Sequence, residues 1–265
     1  MTVILGILNI TDDSFSDGGK YLDPAAAIAH GRALAADGAA VLDIGAASSN
    51  PDSKGVPPDV EIARLAAVLP ALAGTPLSID TFSPTVQRWA LAQGVAYLND
   101  IQGFPDPALY PALAASPARL IVMHSVQARG AATRVPVAPG EILDRIVRFF
   151  DTRLAALEQA GIARDRLILD PGMGFFLGSD PEASFTVLRR LRDLKDRYAL
   201  PLLVSVSRKS FLRRLAGRDA AAAGAVSLAA ELHAVAEGAD YIRSHAPGPL
   251  RDALLLAKKL AEPAG

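Results

Sequence analysis

Eight short apolar runs divide this chain, and each ends on a polar residue of a kind that does chemistry. VILGILN ends at Asn9, AVLDIG carries Asp43, and PLSID ends at Asp80. AYLND closes on Asn99 and Asp100, RLIVMH on His124, and RLILDPG carries Asp170. LLVSVSRK reaches Ser207, Arg208 and Lys209, and ADYIRSH supplies Arg243 and His245. A helix-like segment follows every run. Runs rich in Val, Ile and Leu suit strands buried on both faces, as a parallel sheet requires. Eight strand-then-helix units predict a single (β/α)8 TIM barrel over residues 1–265, with its functional residues at the carboxyl ends of the strands.

Between Asn9 and Arg243 the strand ends recur about every 33 residues, room for a short strand, a helix of a dozen residues and two loops. Helices are expected over 24–37, 58–72, 84–93, 107–115, 140–160, 183–198, 224–237 and 248–261. Asp23-Pro24 and Ser83-Pro84 each set a capping side chain before a proline at the first helical position. Gly38 and Gly161 stand where a helix hands over to a left-handed residue. Three connections after strand ends are long and rich in Gly, Ser, Asp and Pro: Thr11–Leu22, Ala46–Pro58 and Gly172–Pro181. Loops of that length over a barrel mouth are expected to bind or to close.

Composition mainly excludes. A net charge of −1 gives no electrostatic attraction to nucleic acid or to an anionic membrane. No cysteine is present, so no disulfide framework, thiolate metal site or thiol nucleophile is possible. The N-terminal run lacks a basic segment before it, and Asp12 and Asp13 follow at once, which is unlike a signal peptide. The alanine-rich stretch 220–230 is too short to span a bilayer. A soluble, cytoplasmic protein is expected.

GILNITDDSFSDGG at 6–19, SIDT at 78–81, LND at 98–100, LDPGMGF at 169–175, SRKSFL at 207–212 and RSHAPG at 243–248 follow one another in order. Together they resemble dihydropteroate synthase. The resemblance implies condensation of a dihydropterin pyrophosphate with p-aminobenzoate, giving dihydropteroate and pyrophosphate in folate biosynthesis. A pterin edge of amide-like donors and acceptors calls for carboxylates and a side-chain amide. The resemblance assigns Asp80 to the reducing half of the ring and Asn99 and Asp170 to the pyrimidine edge. It assigns Lys209 to a ring atom and Met123 to the ring's apolar face, with Asp80, Asp170 and Lys209 as the catalytic set. Arg243 and His245 would take the pyrophosphate, at the strand-eight end where many barrels bind phosphate. Asn9 would contribute to Mg²⁺, a hard ion that keeps waters and bridges phosphates. Thr11, Asp12, Ser14, Phe15 and Asp17 would close over the reacting groups, and Ser207 and Arg208 would face the aminobenzoate. The resemblance also implies a homodimer.

Two departures fall on the aminobenzoate side. Ser49-Asn50-Pro51 stands where the family has Thr-Arg-Pro, so a hydroxyl and a proline persist and the arginine is absent. Phe176 and Leu177 stand where smaller or basic residues are usual. With LNDIQGFPDPALYP and VMHS, these changes resemble the sulfonamide-insensitive branch of the family. A Phe175–Phe176 pair that narrows the pocket would admit planar aminobenzoate and obstruct a sulfonyl group, and such discrimination needs only ~1–3 kcal/mol. Two other classes share the barrel: a pterin-dependent methyltransferase domain and a pterin-binding protein without activity. Neither has a use for Lys209 together with the Arg243/His245 pair.

Overall fold

The computed structural model describes residues 2–11, 22–49, 55–127, 130 and 132–262. Eight parallel strands appear where the apolar runs place them: β1 (Val3–Asn9), β2 (Val41–Gly45), β3 (Leu77–Asp80), β4 (Tyr97–Asp100), β5 (Arg119–Met123), β6 (Leu167–Asp170), β7 (Leu203–Val204) and β8 (Tyr241–Ser244). The hydrogen-bonded order is β6-β5-β4-β3-β2-β1-β8-β7. A parallel bridge between Leu169 and Leu202 brings the two outer strands together, so the sheet curls into a nearly closed barrel. Strand β7 is shorter than its apolar run, and Ser205 to Arg208 continue beyond it without ladder pairing.

Between the strands lie α1 (Pro24–Ala36), α2 (Pro58–Ala66), α3 (Leu69–Leu72), α4 (Pro84–Ala92), α5 (Tyr110–Ala115), α6 (Ile142–Gln159), α7 (Pro181–Arg189), α8 (Leu191–Tyr198), α9 (Ser210–Ala216), α10 (Gly224–Ala236) and α11 (Pro247–Ala261). Two expected helices are broken. The segment 58–72 divides after Ala66, ahead of Pro70, which has no N–H to extend a helix. The segment 183–198 starts two residues early and divides at Arg190, whose φ of −118° and ψ of 16° leave the helical region. Helix α9 was not expected.

Asp23 caps α1 as its sequence suggests, accepting from the Ala25 and Ala26 amides. Ser83 does not cap α4 with its side chain; its own amide donates to the Thr81 hydroxyl instead. Gly38 and Gly161 adopt positive φ after their helices. The Gly172–Pro181 connection is not wholly irregular, because Gly174–Leu177 form one 3₁₀ turn.

The core has two layers. Ile4, Leu8, Leu42, Ile44, Ile79, Leu98 and Leu120 point outward and pack under the helices. Leu5, Val41, Ile121, Ile168, Leu203 and Tyr241 point inward and fill the floor of the barrel. Side chains alternate along a strand, so the inward set continues two residues further toward the carboxyl ends. There it turns polar: Asp43 on β2, Asp80 on β3, Asn99 on β4, Asp170 on β6 and Arg243 on β8. The pleat therefore gathers residues far apart in sequence into one mouth.

Candidate active site

The largest cluster of those groups centres on Arg243. Its Nε donates to Asp43, and its Nη2 donates to Asp80 Oδ2 at 2.8 Å. Asp43 is fully buried and the Arg243 side chain is only 14% exposed, so little solvent screens the triad. Burial, the largest single cause, lowers the Arg243 pKa, yet the carboxylates around the guanidinium together outweigh it and hold the pKa above the normal arginine value. Asn99 joins the group, with its amide nitrogen 3.4 Å from Asp43 Oδ2. The buried Asn99 Oδ1 has no hydrogen-bond partner, an acceptor facing the mouth that a ligand donor would satisfy.

Asp80 ends β3 beside Asn99 in the ladder. Burial raises its pKa to about 7, while Arg243 pulls the other way. Asp170 ends β6, where its Oδ1 accepts from the Gly172 amide at 2.8 Å. Burial raises it to about 6, and the Gly172 hydrogen bond and the Lys209 charge oppose that. Gly172 holds φ +76°, and a side chain there would meet the His124 carbonyl oxygen at 2.4 Å. Only glycine permits the turn that hands this N–H to Asp170.

Lys209 precedes α9, and its ammonium lies 5.1 Å from the centre of the Phe176 ring. Burial and then the nearby Arg243 lower its pKa to about 8, with Asp170 and Asp80 resisting. His245 is driven well below the ordinary histidine value, first by burial and then by Arg208, Arg243 and Lys209. A histidine lowered in this way is held in its neutral form, which offers hydrogen bonds to a ligand.

These groups open onto one cavity lined by Asn9, Thr11, Ser49, Asp80, Phe175, Phe176, Ser207, Arg208, Lys209, Arg243 and His245, with Ser210 and Arg213 from α9. Asn99, Met123 and Asp170 lie beneath its lining, 2–6% exposed. Met123 packs in a small apolar cluster with Ile101, Ala132 and Phe176. Phe15 and Pro51 lie outside the described residues, as do Asp12, Ser14, Asp17 and Asn50. Asp43 was seen in the sequence as a polar residue in an apolar strand but was given no role. Ser210 and Arg213 were missed because α9 is short and follows a rim segment without a break in composition.

One wall of the cavity is cross-braced. The Val126 amide donates to Phe176 O at 2.9 Å and Gln127 Nε2 donates to Phe175 O at 3.1 Å. Ser179 N donates to Val135 O, and Ala132 N to Ser49 O. Arg134 stacks 5.6 Å from the centre of the Phe175 ring. The connections after β2, β5 and β6 thus hold one another, with both phenylalanines inside the brace.

The family described as pterin binding enzyme matches residues 5–245. A dihydropteroate synthase type-2 of Escherichia coli is 59% identical over 264 residues, covering 99% of this chain and 97% of that relative. The chain belongs to the dihydropteroate synthase family. A dihydropteroate synthase type-1 of Pseudomonas aeruginosa is 53% identical, covering 99% of this chain and 95% of that synthase. The Xanthomonas albilineans dihydropteroate synthase solved with 4-aminobenzoic acid superposes with a TM-score of 0.88 at 35% identity, over 99% of this chain and 94% of that one. The Yersinia pestis dihydropteroate synthase solved with a sulfonamide drug gives a TM-score of 0.89 at 31% identity, over 98% and 95% of the two chains. The (β/α)8 fold is therefore that of the dihydropteroate synthases. No helix among the described residues is long and apolar enough to cross a membrane.

Proposed function

We propose that this chain joins a dihydropterin pyrophosphate to p-aminobenzoate, releasing dihydropteroate and pyrophosphate for folate biosynthesis, and that it does so in the mouth of the barrel. The observation that carries the reading is the set of buried carboxyls, Asp43, Asp80 and Asp170, around Lys209 and Arg243. As the C–O bond to pyrophosphate breaks, positive charge develops on the pterin methylene and spreads into the ring. Ionised Asp80 and Asp170 favour that charge in a site that excludes water. Asn99 and Asp170 meet the amide-like edge of the pterin, and Lys209 donates to a ring atom. The lone pair of the aniline nitrogen then forms the new C–N bond. The resulting anilinium is a strong acid and gives its proton to water or the departing pyrophosphate, so no side chain is assigned as general base.

Arg243 has two roles in this account. It holds Asp43 and Asp80 in place, and those contacts use two of its five N–H donors, leaving others to direct at the leaving phosphate. His245 adds a neutral hydrogen bond. Ser207, Arg208 and Ser49 face the aminobenzoate, the side on which Phe175 and Phe176 stand.

Among the described residues no three His, Asp or Glu side chains are grouped to hold a metal. Asn9 alone offers a cavity-lining amide oxygen, which fits Mg²⁺ bound chiefly through water and pyrophosphate oxygens. Bound there, Mg²⁺ would offset the negative charge of the leaving group. A homodimer follows from the resemblance alone, and a cytoplasmic location from the composition alone. The test is pyrophosphate release that requires both substrates, repeated with and without EDTA. Release with the pterin alone, or none with both substrates together, refutes the reading.

The braced wall supports sulfonamide resistance as the finer reading. Phe176 is pinned by its backbone, by the Met123 cluster and by Lys209, so it cannot swing away from a bulky group. A planar carboxylate fits beside it, while a tetrahedral sulfonyl projects oxygens into it. Deleting one residue of the Phe175–Phe176 pair should restore inhibition, read as the sulfonamide inhibition constant against the KM for aminobenzoate. Wild-type inhibition at concentrations near that KM would sink the idea.

A further inference from the structure

Helix α4 carries a buried amide that the proposed reaction does not use. Gln87 is 1% exposed, on a face it shares with the buried Val86 and Ala90. An apolar side chain is the ordinary choice there, because a buried amide costs free energy unless its donors are met. Both donors of Gln87 are met. Its Nε2 donates to Thr81 O at 2.9 Å and to Asp100 Oδ2 at 2.9 Å. Asp100, a strand-end carboxylate without a role in the reaction, is also 1% exposed.

The two acceptors lie just past active-site residues on neighbouring strands. Strands β3 and β4 pair in parallel with Asp80 opposite Asn99, and Thr81 N donates to Asn99 O at 3.0 Å. In a continuing ladder the Thr81 carbonyl would accept from the next backbone amide of β4. Asp100 ends that strand, and the chain turns away. Gln87 takes the place of the missing amide, giving one hydrogen to Thr81 and the other to the Asp100 carboxylate. Asp80 and Asn99 are thus followed by two rungs, one of backbone and one of side chains, that keep the two strand ends together.

The residue types suit the task. Thr81 O and Asp100 Oδ2 both accept, and a carboxamide nitrogen supplies two donors without a charge. Methionine, of similar length, supplies none. Asp100 has other partners: its Oδ1 accepts from the Gln102 amide at 2.8 Å, and its Oδ2 also accepts from the Phe104 amide at 3.0 Å. Phe104 holds φ +62°, a strained value for a residue with a side chain, and its carbonyl accepts from the Tyr110 hydroxyl at 3.2 Å. The turn after β4 therefore keeps its own support when Gln87 is replaced, and the rung to Thr81 is lost alone.

We infer that Gln87 is a positioning residue: through Thr81 and Asp100 it fixes the spacing of Asp80 and Asn99, two of the side chains turned to the pterin. Losing that spacing weakens binding of the ring. It also misplaces Asp80 against the charge that develops on the methylene, so turnover falls with it.

This inference rests on the proposed condensation, so condensation by the wild-type protein is the control that separates the two. Binding of a dihydropterin that lacks the pyrophosphate should be measured by calorimetry in wild type, Gln87→Met and Gln87→Asn. Steady-state constants for both substrates should be measured in the same proteins, well below the Tm of each. Expected in Gln87→Met are a roughly tenfold rise in Kd for the dihydropterin, about a 1.4 kcal/mol loss, and a fall of similar size in kcat. The KM for aminobenzoate, at saturating pterin pyrophosphate, should change less than about twofold. Gln87→Asn, whose shorter amide reaches only one of the acceptors, should fall between Gln87→Met and wild type. In Asn99→Ala, adding Gln87→Met should weaken dihydropterin binding by less than it does alone, because part of its effect passes through Asn99. If Gln87→Met does not fold, Gln87→Asn carries the same comparisons. A lowered Tm with wild-type dihydropterin binding and kcat would make Gln87 a packing residue and overturn the assignment, as would equal losses for the two substrates or full additivity with Asn99→Ala.

Discussion

Replacing Arg243 by alanine tests the centre of the site through stability before any substrate is added. The guanidinium is 14% exposed and pairs with one carboxylate that is fully buried and another that is 19% exposed. Removing one member of such a buried set leaves uncompensated charge, which costs roughly 3–5 kcal/mol. In a chain of this size that lowers Tm by about 6–20 °C. The pH dependence identifies the cause. Asp80 already has its folded pKa raised, from 3.8 to about 7, so it binds more protons folded than unfolded between those values. A group of that kind lowers stability as pH rises through this window. Arg243 opposes the shift, and losing it pushes Asp80 further up. The gap in Tm between wild type and Arg243→Ala should therefore be widest near pH 8 and shrink by pH 5, where Asp80 takes up a proton. Scanning calorimetry of both proteins across that range gives the answer. A gap under about 2 °C, below the ~1 kcal/mol that even a weak buried pair would show, or one that is the same at both pH values, would refute the reasoning. In the folded variant, KM for the pterin pyrophosphate should rise far more than KM for aminobenzoate, and equal rises would place Arg243 away from the leaving group.

Asp80→Ala and Lys209→Ala should each lose most turnover while retaining the circular dichroism of wild type, because rim residues serve chemistry more than packing; full activity in either removes the pterin-pocket assignment. The pH profile of kcat/KM should be bell-shaped: it rises as Asp170 and Asp80 ionise, near 6 and 7, and falls as Lys209 loses its proton near 8. Lys209→Arg should move only the alkaline limb outward, and an unmoved limb assigns it to another group. Gly172→Ala should cost about 1–3 kcal/mol from its positive φ alone, and more from the contact with the His124 carbonyl, and should lower turnover by displacing Asp170; a variant of wild-type stability would show that the turn tolerates a side chain.

The strands were readable because a parallel barrel buries them on both faces, leaving unbroken apolar runs that few other elements produce. Helix boundaries were less so. A single chain of apolar periodicity runs through 58–72, and the break before Leu69 depends on Pro70 and on how α2 and α3 share the barrel surface, which is a tertiary fact. Helix α9 has seven residues, too few to show a period. Ser83 stands in a capping position, yet Thr81 supplies the hydrogen bond its amide needs.

The site shows the same division between local and long-range information. Asp80 and Asp170 end their strands and Asn99 stands one residue before the end of its own, so each was visible as a rim residue. What they form together was not visible, because the contacts that organise them span 200 residues from Arg243 to Asp43 and 163 from Arg243 to Asp80. Asp43 sits within its strand and reads from sequence as an interruption of a hydrophobic run. Only the pleat, with Leu5, Val41 and Tyr241 one step below it on the inward face, shows that position to be the last layer before the mouth. In this barrel a lone polar residue in an apolar context marks a place where two or more strand ends meet, and its partner must be sought by register across the barrel, not by nearness along the chain.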